Sequence, residues 1–284
     1  MTAAMNRREF LSASAAGAGV VLIGRQLVMA GENADWPPKM PPAKIYKVYI
    51  GRTGGIYLSR PTDEIDKFNE YLSKLEQKLG NVKFIGGELV PPTEVDTVLP
   101  KLKDADGALL FHLCGHGGDA PEQAMAKIID TGIPAAVFSQ PFSGHGWMYF
   151  PRWQKEGKKV VLLPSSDWSE IDRVVALMRV APHLRNTRIL VVQGPLGTAP
   201  ACNAEMVKQK LGVELVPVTV EETLKAHQAV DIKDAEAEAQ EYWLSKAKKI
   251  VEPTKEEIVS SARLYLAMKN LMIKERAQAT TSSN

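Results

Sequence analysis

From Lys44 onward, short runs of β-branched and apolar residues alternate with longer stretches whose apolar positions recur every three or four residues. The first kind fits strands and the second amphipathic helices. Strands are predicted at Ile45–Ile50, Val82–Ile85, Ala108–Cys114, Ala135–Ser139, Val160–Pro164, Ile189–Gln193 and Glu214–Val218. Ala108-Leu109-Leu110-Phe111 and Val160-Val161-Leu162-Leu163 are continuously apolar, the pattern of strands covered by helices on both faces. Thr62-Asp63-Glu64 opens a helix with Ile65, Phe68, Leu72, Leu75 and Leu79 on one face, and Gly80-Asn81 ends it. Ser169-Glu170 opens another through Ile171, Val174, Val175, Met178 and Val180. A third runs from Asn203 to Leu211 and is closed by Gly212.

This order predicts an α/β fold of two consecutive Rossmann-like or flavodoxin-like parallel-sheet units, the second incomplete. The first unit covers 44–185 and holds five strands. The second covers 186–284 and shows two clear strands, with Ala277–Asn284 able to begin a further one. Glu221–Lys249 reads as a long polar helical stretch. Pro253-Thr254-Lys255-Glu256-Glu257 then starts a helix whose apolar stripe includes Ile258, Ala262, Leu264 and Met268.

Residues 1–30 read as an export signal and 31–43 as a proline-rich linker. Arg7-Arg8 precedes Phe10-Leu11, the twin-arginine pattern. The apolar run Ala13–Ile23 is too short to span a bilayer and is followed by Arg25. Val28-Met29-Ala30 offers a small-residue cleavage site. The expectation is a periplasmic or secreted protein whose mature chain has no membrane span.

Composition adds little beyond a sizeable core, with 45% hydrophobic and 24% charged residues. A net charge of +2 gives no field suited to nucleic acid, and the expectation is that no Lys/Arg cluster occurs downstream of the signal segment. Nucleic acid is set aside as a partner. Cys114 and Cys202, near strand ends, make no disulfide framework and read as small apolar fillers.

Open parallel sheets bind ligands beyond the carboxyl ends of their strands. The segments there are Gly51-Arg52-Thr53-Gly54-Gly55, Cys114-Gly115-His116-Gly117-Gly118-Asp119, Gln140-Pro141-Phe142-Ser143-Gly144-His145-Gly146-Trp147 and Ser165-Ser166-Asp167-Trp168. Glycines let a ligand approach the backbone, and imidazole, hydroxyl and indole groups suit a polyhydroxylated molecule. Arg52, His116, Ser143, His145 and Trp147 are the candidate binding residues, with His116 and His145 also able to move protons. His112, inside a strand, reads as a structural histidine. Gly194-Pro195-Leu196-Gly197-Thr198 lacks the dinucleotide fingerprint, and Pro195 removes an amide donor.

The element order, with Asp106-Gly107-Ala108-Leu109-Leu110, Gly132-Ile133-Pro134-Ala135, Leu184-Arg185-Asn186-Thr187-Arg188-Ile189 and Ala262-Arg263-Leu264-Tyr265, resembles the N-terminal part of the L-fucose and L-arabinose isomerase superfamily. The resemblance implies aldose–ketose isomerisation, a sugar substrate, a homo-oligomer and a divalent metal such as manganese. In that family the metal ligands lie in a later half, so none is carried over to this chain. The expectation is a fragment or reduced homologue, with two alternatives: an exported sugar-binding protein without catalysis, or a subunit completed by a partner chain.

Overall fold

In the computed structural model, which describes residues 36–52, 61–113, 120–140, 146–193 and 203–282, two parallel sheets follow one another along the chain. The chain divides into Met1–Pro37 and Pro38–Asn284, and both sheets belong to the second unit. The first sheet contains β1 (Ala43–Ile50), β2 (Val82–Val90), β3 (Gly107–His112), β4 (Ala135–Phe138) and β5 (Val160–Leu163). Its order is β2-β1-β3-β4-β5 with every neighbouring pair parallel. That is the flavodoxin-like order.

Four helices cover this sheet: α1 (Pro61–Leu79), α2 (Ala120–Ile129), α3 (Gly146–Lys155) and α4 (Ser169–Met178). Strand alternation sends Val48, Ile50, Leu110 and Val137 to one face, where Met125 and Ile128 of α2 and Trp153 of α3 close the core. The other face takes Tyr49, Phe111 and Phe138 under α1 and α4. There Phe68 is the hub, its ring 4.5 Å from those of both Phe111 and Trp168. β3 is buried along its whole length, as its sequence requires. β5 is not: it forms the sheet's edge, and Val161 stays 38% exposed despite the continuous apolar run.

Short α5 (Val180–Arg185) leads into the second sheet of β6 (Arg188–Val192), β7 (Glu214–Val218) and β8 (Ala279–Ser282), ordered β7-β6-β8 and parallel throughout. The third strand falls where Ala277–Asn284 left room for one. Between β6 and β7 lies α6 (Ala204–Leu211). Asn203 caps it by accepting from the Met206 amide at 2.9 Å, and Gly212 ends it in the left-handed region.

After β7 come α7 (Val220–Ala229), α8 (Ile232–Glu238), a π-helical turn (Ala239–Leu244) and α9 (Lys255–Glu275). Thr219 and Thr254 form capping boxes with Glu222 and Glu257. The polar stretch read as one long helix is therefore broken. Asp231 interrupts it by accepting from the Lys233 amide at 2.8 Å, a local bond that competes with the helical ladder.

Candidate functional site

In the order β2-β1-β3-β4-β5 the chain leaves β1 toward one edge and β3 toward the other, so the switch point lies between the carboxyl ends of β1 and β3. Backbone pairing is kept to that edge. The Leu113 amide donates to the Ile50 carbonyl at 2.8 Å and the Gly51 amide to the Val90 carbonyl at 3.1 Å. Space is tight at Gly51, where a Cβ would lie 3.2 Å from the Leu113 Cβ. The two exits thus run close together, and Arg52 leaves β1 at this point, exposed to solvent.

Ile50 of β1 is in register with His112 of β3, and Phe111 with Phe138 of β4. One residue further, His112 ends β3 and Ser139 follows β4, and by alternation both fall on the face covered by α2 and α3. His112 is 2% exposed, Ser139 5% and Glu122, in the first turn of α2, 7%. Among the described residues these are the buried side chains of polar type, and all three gather at the carboxyl edge. Buried polar groups carry a desolvation cost, so their concentration at one edge marks it off from the apolar interior. Glu122 is ion-paired with Arg152 of α3, tying together the two helices that follow β3 and β4.

Of the predicted site residues, Arg52 is at the switch point. His116, Ser143 and His145 lie outside the described residues. Trp147 falls in the first turn of α3, a helix where sequence reading had placed a loop. Sequence reading passed over Ser139 and Glu122 and treated His112 as structural. Strand ends alone carried the signal for Ser139. The pairing of Glu122 with Arg152 spans 30 positions and has no local signature.

Elsewhere a groove of about 430 Å³ lies between β7, α7 and α9, floored by Val216, Val218 and Leu271 and rimmed by Lys225 and Lys274. Its carboxylates are engaged, Glu222 in the α7 capping box and Glu275 with Arg188 at 3.7 Å. Among the described residues no group of three or more His, Cys, Asp or Glu is placed to hold a metal ion. No described helix is long and apolar enough to cross a membrane.

No family model matches the chain, and no curated protein does. Among solved structures, it is similar to a conserved domain protein from Vibrio cholerae O1 biovar El Tor strain N16961. That match has 17% identity and a TM-score of 0.29, covering 85% of this chain and 79% of the other. A sugar ABC transporter from Yersinia enterocolitica subsp. enterocolitica 8081 aligns at 14% identity and a TM-score of 0.25, covering 90% and 70%.

Proposed function

We propose that this protein binds a small sugar at the carboxyl edge of its five-stranded sheet, at the β1/β3 switch point. The observation that carries the reading is the collection of His112, Ser139 and Glu122, buried and polar, at that edge. A sugar presents several hydroxyls that both donate and accept, and imidazole, hydroxyl and guanidinium groups can meet them in pairs. Apolar residues alone would give such a ligand no orientation.

The test is thermal unfolding and calorimetric titration of the chain with a panel of aldopentoses and aldohexoses. A ligand that binds only the folded state raises the melting temperature with its concentration. One sugar class is expected to do so. Exposed Arg52 lies beside the switch point, so Arg52→Ala is expected to weaken binding on the order of tenfold. If no sugar in the panel shifts the melt, or if Arg52→Ala and His112→Gln bind as tightly as the parent, the reading is wrong. Ketose formed from the bound aldose, assayed with and without Mn²⁺, would add the isomerisation implied by the family resemblance.

A further inference from the structure

The segment joining the π-helical turn to α9 carries both basic and large apolar side chains at its surface. Its order is Trp243-Leu244-Ser245-Lys246-Ala247-Lys248-Lys249-Ile250-Val251. The turn itself is fixed: the Ser245 amide donates to the Gln240 carbonyl at 3.1 Å, a five-residue step, and the Ala247 amide to the Trp243 carbonyl at 3.1 Å. Beyond it the backbone is irregular as far as Thr254, where the capping box of α9 begins.

Three large apolar side chains face water here: Trp243 at 36%, Ile250 at 48% and Val251 at 75% exposure. Exposed aliphatics scattered singly need no explanation. Ile250 and Val251 are adjacent, however, and stand directly beside Lys248 and Lys249, both exposed. Lys246 is exposed as well, its ammonium 4.2 Å from the Tyr242 ring centroid. No acidic residue lies between Ser245 and Val251, though Glu241 and Glu252 flank the segment. These lysines form a small basic cluster, which corrects the expectation that no Lys/Arg cluster occurs beyond the first thirty residues.

We propose that this segment is a docking surface for an anionic lipid membrane. Ammonium groups are drawn to the negative surface potential of acidic headgroups. Indole rings settle at the boundary between headgroups and acyl chains, and aliphatic side chains beside them gain by leaving water. Lysine cluster, Trp243 and the Ile250–Val251 pair occur together, and each matches a different layer of that interface. An acidic protein surface would satisfy the lysines but gives no role to an aliphatic pair held in solvent. Contact of this kind is peripheral and requires no spanning helix.

The test is flotation of the full chain with vesicles of phosphatidylcholine alone and of phosphatidylcholine with phosphatidylglycerol. Binding is expected only to the second, weakening as salt rises. The basic N-terminal segment could itself meet lipid, so the decisive comparison is between variants of the same full chain. K246E/K248E/K249E is expected to lose on the order of a hundredfold in partitioning, and I250S/V251S roughly tenfold. Trp243 fluorescence, isolated by difference against Trp243→Phe, is expected to shift to the blue on binding. Both multiple variants replace exposed residues, so their melting temperatures should match the parent's and separate loss of docking from loss of fold. The proposal is overturned if the variants bind anionic vesicles as the parent does, or if neutral vesicles bind equally. It is also overturned if the segment binds soluble polyglutamate but no vesicle.

Discussion

His183, at the end of α5, is half-buried, and its Nε2 lies 3.1 Å from the Asn81 carbonyl oxygen. Burial holds its imidazole below the ordinary value of 6.5, and the nearby Arg179 guanidinium pushes the same way. The Asn81 carbonyl and Asp106 oppose them. A lowered value in the fold means that the unfolded chain takes up the proton first as pH falls. This group's contribution to stability is therefore full above about pH 6.5 and is lost as pH falls through the folded value. Denaturation midpoints between about pH 8 and pH 5 should fall toward acid, and His183→Gln, which can still donate to Asn81, should flatten that part of the profile. An unchanged profile in the variant would assign the acid sensitivity elsewhere. None of this was legible from the sequence. The titration of His183 is set by Asn81 and Asp106, 102 and 77 positions away, and that proximity exists only once α5 meets the first sheet.

At the scale of elements, β2 shows how pairing reshapes a strand. The sequence suggests a run ending at Ile85, yet the strand continues through Gly86-Gly87 to Val90. Register with β1 jumps from Lys47–Gly86 to Val48–Glu88, leaving Gly87 as the extra residue of a bulge. Both glycines have positive φ, 71° and 114°. At Gly86 a Cβ would sit 2.5 Å from the Tyr46 ring. That ring cannot step aside easily, because it is buried and its hydroxyl donates to both Glu88 oxygens at 2.9 Å. Gly86→Ala should therefore add a steric clash to the backbone cost and destabilise by about 2–4 kcal/mol. Gly132→Ala is the control, with φ of 81° but nothing within 4 Å of the added methyl, and should cost only about 1–2 kcal/mol. Urea unfolding of the pair measures the difference, and equal losses would show that Tyr46 yields. Apolar runs and cap residues made β1, β3, α6 and α9 readable in advance. A bulge, an edge position such as Val161 and the π-helical turn depend on which strand or helix lies alongside, and local sequence does not carry that.

For the whole molecule the consequence lies in where the two sheets join. Asn81 and Asp106 precede β2 and β3, so they mark the amino edge of the first sheet. Arg179 reaches Asn81 at 2.5 Å and Arg185 reaches Asp106 at 3.2 Å, fixing α5 against that edge. The second sheet starts from the same place. The Glu214 amide donates to the Thr187 carbonyl at 2.9 Å, Gly212 packs against Arg185, and the Thr187 hydroxyl lies 3.7 Å from the Met40 sulfur. Each sheet thus meets the other by its amino end, whereas the proposed sugar site is on the carboxyl edge of the first. Among the described residues the contacts that join the two parts lie at these amino ends, so a ligand on the carboxyl edge is expected to be held by the first sheet without closure of the second over it. Small-angle scattering should give the same radius of gyration with and without saturating sugar, while the melting temperature rises. Measurable compaction on binding would place the ligand between the two sheets instead, and Arg52→Ala would then be expected to leave affinity unchanged. Taken with the Arg52 titration, the scattering experiment separates a pocket built on one sheet from a clamp built by two.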